Sequence, residues 1–411
     1  MRRVVITGAG VVSSLGDTPA ALHAALCEGR SGIRPVQLFD TAGLGCPLGG
    51  EVADFDARKY LGGRNLRPLD RTSRLVASAA QLALDASGWT PEMRASREVG
   101  LVLGTMFCSV RTIAEFDRRA LEAGPAYASP MDFANTVINA AAGQAAIMHG
   151  LRGVNTTVSA GVTSGLQAVA HAADQIRAGR SDALLAGGAD ELCFESFYGF
   201  ERAGLLCRSE GHECHYSIPF DARRNGLTPG EGAALLMLEE EASARERGAR
   251  VLAEVRGAGS GYDCSRGREE AKAVKSVAHS MHFALYDAGM LPYEVECLSA
   301  SANGSPRGDS VEARAVEQVF GDHARRMPLT AIKAMLGETL GASGALQVVD
   351  ALETLRDCVL PGIKGLEEVE EDFPFTPPAA SRQEVDCVNV LVNSVGLDGH
   401  SCSLVVARCD E

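Results

Sequence analysis

Val154-Asn155-Thr156-Thr157-Val158-Ser159-Ala160-Gly161-Val162-Thr163-Ser164-Gly165, continued by Leu166-Gln167-Ala168-Val169-Ala170-His171-Ala172-Ala173, decides how the chain is read. Thr156, Thr157 and Val158 are β-branched and run into small residues, and an alanine-rich stretch of helical period follows. The pattern predicts a buried strand turning sharply into a helix. A turn built of Ser, Ala and Gly lets the backbone pass close to a ligand and aims one side chain at a helix N-terminus. Many enzymes place a nucleophile there. Here the tip residue is Val162, which has no nucleophilic atom.

Outward from this turn, the runs 4–6, 99–103, 182–188 and 233–238 are near-continuously apolar, as strands buried on both faces of a helix-covered sheet are. Helices are predicted over 20–27, 73–86 and, rich in alanine, within 129–149. From 251 the pattern begins again, with strands over 251–255, 295–299, 388–393 and 401–407 and helices over 269–287, 310–320 and 341–356. Two halves of like content predict an internally duplicated α/β fold. The division falls as 1–248, which carries the turn, and 249–411. Residues 32–53 and the acidic, then proline-rich 366–381 read as surface loops.

The chain has 411 residues, is 46% hydrophobic, and has no run of the roughly 18 apolar residues that cross a bilayer, so a soluble protein without membrane insertion is expected. A formal net charge of −14 argues against nucleic acid as partner, since phosphate binding draws on Lys and Arg. The twelve cysteines show no paired spacing and read as buried free thiols of a reducing, cytoplasmic compartment. His212-Glu213-Cys214-His215 lacks the spacing of a zinc motif and reads as a solvated loop, so no metal is expected. Gly8-Ala9-Gly10 opens a dinucleotide fingerprint, but Ser13 stands in place of the third glycine and no ribose-binding acid follows at the usual distance. Arg2-Arg3 before Val4-Val5-Ile6 starts like a signal peptide, yet glycines interrupt the apolar stretch at once, and a first buried strand is the better reading.

Ile218-Pro219-Phe220-Asp221-Ala222-Arg223-Arg224-Asn225-Gly226, with Pro229-Gly230-Glu231-Gly232-Ala233-Ala234, resembles a signature of the β-ketoacyl synthases. Ala186-Gly187-Gly188-Ala189-Asp190, Lys333-Ala334-Met335-Leu336-Gly337, Gly341-Ala342-Ser343-Gly344-Ala345 and Asn393-Ser394-Val395-Gly396-Leu397-Asp398-Gly399-His400 are similar to further motifs of that family, in the same order. The resemblance spans essentially the whole chain. It implies the thiolase fold, a duplicated five-layer α-β-α-β-α architecture, and a dimer with the turn near the subunit interface. It also implies chemistry on acyl thioesters of acyl carrier protein; the phosphopantetheine arrives on that carrier, and no cofactor is bound by the chain itself.

Active members carry Cys at the turn and two His residues that hold a malonyl thioester for decarboxylative condensation. Aligned by the resemblance, Val162 takes the Cys position, Asn303 the first His and Glu338 the second. Val162 cannot form a thiolate or an acyl-enzyme. Asn303 does not titrate near neutral pH, and an ionised Glu338 sets negative charge where an enolate oxygen or malonyl carboxylate belongs. Loss of all three leaves no condensing site. Thr163 and Ser164 flank the turn but point elsewhere and lack an activating His.

The resemblance also singles out residues near a substrate tunnel or the dimer interface: Met106, Phe107 and Cys108, Met131, Asp132 and Phe133, Thr163, and Leu397 and Asp398, which stand where a gating Phe is usual. Lys333 is retained, and a buried ion pair with Glu338 is expected. Cys108 reads as a small apolar lining residue. The whole implies a chain length factor, a silent homologue that pairs with an active synthase subunit and completes its acyl tunnel. Factors of aromatic systems carry Gln at the turn, so Val162 points towards polyene or fatty-acid-like pathways. Two alternatives stay open: an acyltransferase or ester- or amide-forming synthase using Glu338 as base, and a homodimeric module that binds carrier protein or lipid.

Overall fold

A computed structural model of the chain describes residues 2–208, 217–370, 373 and 379–409. Strand β1 (Val4–Ser13) is buried at every position. After α1 (Pro19–Cys27), helix α2 (Arg71–Ser87) lies across it at close range. A Cβ at Gly10 would stand 2.1 Å from the Ala79 carbonyl oxygen. The Gly8-Ala9-Gly10 run therefore lets a helix approach a strand, and is not the phosphate turn of a dinucleotide site.

Nine further strands join β1: β2 (Gly100–Gly104), β3 (Asn155–Val158), β4 (Ala183–Asp190), β5 (Gly232–Glu240), β6 (Ala253–Tyr262), β7 (Cys297–Ser299), β8 (Leu329–Thr330), β9 (Asn389–Val395) and β10 (His400–Ala407). Among the described residues these form one sheet in the order β8-β7-β9-β10-β6-β1-β5-β4-β2-β3. From its outer edge inward the first half reads 3-2-4-5-1 and the second 8-7-9-10-6, the same order with five added. Directions match as well: β2 runs parallel to β3 and β4, and β7 parallel to β8 and β9, while the remaining pairs in each half are antiparallel. The halves meet where Val5 and Ile6 pair antiparallel with Glu254 and Ala253.

The main helices after α2 are α3 (Val110–Ala123), α4 (Ala140–His149), α5 (Ser164–Arg177), α6 (Phe194–Arg202), α7 (Glu270–Ala288), α8 (Pro306–Phe320) and α9 (Ser343–Asp357). Helices α5 and α9 pack on each other between the half-sheets, α2 and α4 cover the outer face of the first half, and α7 and α8 cover the second. That makes five layers. In α9, residues 343–355 are all buried, as a helix in the middle layer must be.

Three expectations change. Strand β3 is not buried: Asn155 is exposed and Thr156, Thr157 and Val158 are half-buried, because β3 is the outermost strand with β2 as its one neighbour. A β-branched run marks a strand without telling where in a sheet it lies. The stretch 129–149 holds two helices, Pro130–Phe133 and α4, separated by a turn in which Asn135 donates to the Pro68 carbonyl. Helix α8 starts at Pro306, four residues before the predicted point, since Ser305 caps it by accepting from Gly308 N–H and proline suits a first helical position. Residues 212–215 and most of 371–378 lie outside the described residues. Among the described residues, no helix is long and apolar enough to cross a membrane.

Candidate functional site

The turn between β3 and α5 closes on itself. Gly161 has φ +59°, and a Cβ there would stand 2.3 Å from a carboxylate oxygen of Asp398, so the position requires glycine twice over. Thr163 Oγ1 donates to the Ala160 carbonyl over 2.6 Å. Ser164 Oγ donates to the Gly161 carbonyl and accepts from Ala160 N–H, at 2.6 and 2.8 Å. Both hydroxyls are thus held by the turn's own backbone. Val162 at the tip is half-buried and packs against an apolar cluster that includes Met106, Phe107, Phe200, Leu205 and Leu340.

Two residues before Leu340, Glu338 is fixed by its backbone: its N–H donates to the Thr228 carbonyl and its carbonyl accepts from Gly230, at 2.7 and 2.8 Å. Its side chain is 1% exposed and has three donors. Oε2 accepts from Lys333 Nζ and from Asn303 Nδ2, both at 2.8 Å, and Oε1 accepts from Ser343 Oγ at 2.6 Å. Lys333, 2% exposed, also reaches Ser301 Oγ at 3.2 Å. Asn303 is held at both ends of its amide, since its Oδ1 accepts from Ser305 N–H at 3.1 Å. The opposite charges of Lys333 and Glu338 face each other, and a network so connected is rigid.

Beneath it sit two buried carboxyls of α8. Asp309 accepts from the N–H groups of Phe220, Asn303 and Gly304, and Glu312 accepts from Ser301 N–H and Asn393 Nδ2. Burial pushes Asp309 up to about 6 and Glu312 up to about 7, against the opposing pull of those hydrogen bonds. They hold the Asn303 loop in place.

The loop 105–108 is organised by Asp190 at the end of β4. Its carboxylate accepts from Thr105 Oγ1 and from the N–H groups of Met106, Phe107, Cys108 and Gly341, at 2.7 to 3.0 Å. Cys108 is 2% exposed and takes φ +53°. Burial pushes its thiol up to about 12, which leaves it protonated and unreactive. Phe107 packs edge-on to Phe200 with ring centroids 6.0 Å apart.

Asp398 bends back to His400, with Oδ2 3.1 Å from the ring Nδ1. Leu397 is 40% exposed beside a cavity of about 190 Å³ lined in part by Leu205, Val277, Val311 and Arg307. Met131, Asp132 and Phe133 are set apart from this group. They lie on the surface, with Asp132 paired to Arg119 at 2.8 Å and Phe133 against Phe116.

The profile of the beta-ketoacyl synthase N-terminal domain matches residues 1–244, and that of its C-terminal domain matches residues 252–367. The chain belongs to the β-ketoacyl synthase family. Among its ketosynthase relatives are a 3-oxoacyl-[acyl-carrier-protein] synthase 2 of Coxiella burnetii, 33% identical over 99% of both chains, and the tetracenomycin polyketide synthase ketoacyl synthase beta subunit of Streptomyces glaucescens, 34% identical over 98% of both. The solved ishigamide ketosynthase/chain length factor superposes with a TM-score of 0.91 at 31% identity, covering 100% of each chain. The duplicated five-layer architecture is the thiolase fold of these synthases.

Sequence reading missed Ser301, Ser343, Asp309 and Glu312, the residues that complete the polar cluster. Ser343 lay inside a quoted motif, but the roles of all four depend on segments that meet only in the folded chain. The acidic Glu231 had a readable signal between two glycines. It accepts from Val52 and Leu192 N–H and from two nitrogens of Arg71, and so ties the first half-sheet to α2.

Proposed function

We propose that the chain is a non-condensing synthase subunit of the chain-length-factor kind, which pairs with an active β-ketoacyl synthase and shapes its acyl tunnel during polyketide, polyene or fatty-acid-like synthesis on acyl carrier protein. One observation carries the reading. The three positions that would need a thiol and two imidazoles hold Val162, Asn303 and Glu338, and the two polar ones are locked to each other and to Lys333. Condensation needs a nucleophile and donors aimed at developing charge. This arrangement offers no nucleophile at Val162 and sets a carboxylate, Glu338, where donors belong, on a scaffold that keeps the family's motifs.

Pairing is supported by exposed apolar side chains on α3 and the segment that follows it. Leu121, Tyr127 and Phe133 are 86%, 72% and 61% exposed, and Val137 and Ile138 adjoin them in the chain. An exposed apolar patch and, separately, the outer edge of β3 each suit burial against another subunit. Kinship with a polyketide ketoacyl synthase beta subunit favours an active synthase as that subunit. The use of Glu338 as a general base is not favoured, because its carboxylate is buried and already held by three donors.

The test is to purify the chain with an active, cysteine-bearing synthase and measure elongation from malonyl carrier protein. A stable one-to-one complex, with product length altered by Met106→Ala or Phe107→Ala in this chain, is expected. Absence of a complex, or products indifferent to this chain, would overturn the reading.

A further inference from the structure

Helix α1 carries a thiol and an imidazole in series with a carboxylate of α9, apart from the cluster around Glu338. His23 and Cys27 are four residues apart, so their side chains share one face of the helix. That face packs on α9, which supplies Asp350. His23 Nδ1 lies 2.8 Å from Asp350 Oδ1, and His23 Nε2 lies 3.4 Å from Cys27 Sγ. The side chains of His23 and Asp350 are 5% and 1% exposed, while Cys27 is only half-buried. From the interior outward the order is carboxylate, imidazole, thiol.

The chemistry of each atom follows from its neighbour. A carboxylate only accepts, so Nδ1 of His23 carries a proton and Nε2 faces the sulfur. Burial alone would lower the histidine's affinity for a second proton, but the hydrogen bonds to Asp350 and Cys27 outweigh it and raise the ring to about 10. Glu353 and Asp357 of α9 add negative potential towards the ring, and Arg356 pairs with both. At neutral pH His23 is therefore an imidazolium whose Nε2–H points at sulfur. Nucleophile, ring and orienting acid stand in the sequence that activates catalytic thiols.

We propose that Cys27 is a thiol-exchange site whose co-substrate is a low-molecular-weight disulfide and whose product is a mixed disulfide on the chain. The sulfur of Cys27 attacks one sulfur of the disulfide, a new S–S bond forms as the old one breaks, and the departing thiolate takes up the proton that Cys27 has lost. Cys27 is oxidised and the departing sulfur reduced, so the electrons balance without a further reagent. The His23 imidazolium stabilises negative charge on the attacking sulfur, and Asp350 keeps the ring protonated and aimed.

The chain supplies its own reference, because Cys264 is an exposed thiol. The fully reduced protein is incubated with oxidised glutathione at pH 7, and peptide mass spectrometry follows each cysteine with time. Cys27 is expected to react about tenfold faster than Cys264 or more, although it is less exposed. Asp350→Asn, nearly isosteric, and His23→Gln should each bring the ratio down to about one or below. If Cys27 in the unaltered protein reacts no faster than Cys264, or if the ratio survives in Asp350→Asn, the proposal is wrong. The comparison within the unaltered chain decides even if a variant does not fold.

Discussion

Asn303 Nδ2 donates to Glu338 Oε2 over 2.8 Å, so two residues 35 positions apart in the chain are joined in the buried interior. Lys333 completes the arrangement at 2.8 Å from the same oxygen. The three residues are therefore coupled: a neutral donor at 303 suits a carboxylate at 338, and a buried carboxylate requires the lysine.

Breaking that pair on one side strands a charge in a buried site. Lys333→Met is expected to lower stability by about 3 to 5 kcal/mol, while the double variant Lys333→Met, Glu338→Leu should recover much of the loss. Urea unfolding of the four proteins of the cycle measures this. A double variant as unstable as the sum of the two singles would contradict it.

His149 gives a pH signature. It is 3% exposed, with Nε2 2.8 Å from the Ala77 carbonyl and Nδ1 3.2 Å from Arg64. Burial, with help from the charges of Arg64 and Arg94, lowers it to about 4. The unfolded chain, with an ordinary imidazole near ~6.5, binds the proton first, so this contribution is complete above that pH and is lost as pH falls towards 4. The loss is on the order of 3 kcal/mol. Comparing unfolding of His149→Gln and the unaltered chain between pH 7 and pH 4 isolates it, and an unchanged slope in the variant would refute it.

Restoring the thiol should not restore chemistry. Val162→Cys places sulfur at the tip of the turn, but neither Asn303 nor Glu338 supplies an imidazole to activate it. Condensation is expected to stay at least about a thousandfold below that of an active synthase. Radiolabelled malonyl carrier protein offered to the variant checks this, and turnover near a normal rate would mean the turn alone governs activity.

The exposed patch can be tested without touching the core. Phe133→Glu and Tyr127→Glu should leave thermal unfolding within about 0.5 kcal/mol of the unaltered chain. They should weaken association with an active synthase about tenfold or more, because a charge is carried into an apolar interface. Analytical ultracentrifugation of mixtures reads the effect, and undiminished association would move the pairing surface elsewhere.

Much of this was legible in the sequence because the fold leans on close approaches and sharp turns, which leave glycines and small residues at fixed spacing. The strand-to-helix turn at Val162 and the repeated strand and helix content are of that kind. The edge position of β3 was not legible, since Thr156, Thr157 and Val158 would suit a central strand equally well. Nor was the polar cluster in full. Lys333 with Glu338 could be anticipated from their nearness in the chain, but Ser301 and Asn303 reach them from the loop after β7 and Ser343 from the start of α9. His23 and Asp350, 327 positions apart, carry no mark of partnership until α1 lies on α9.

The measurement that bears most directly on the central claim is release of carbon dioxide from malonyl carrier protein by the purified chain alone, set beside the same chain mixed with an active synthase. The account predicts no release above background for the chain alone, and elongated product in the mixture that depends on both proteins. Decarboxylation or chain growth by the isolated chain at the rate of an ordinary synthase would contradict it.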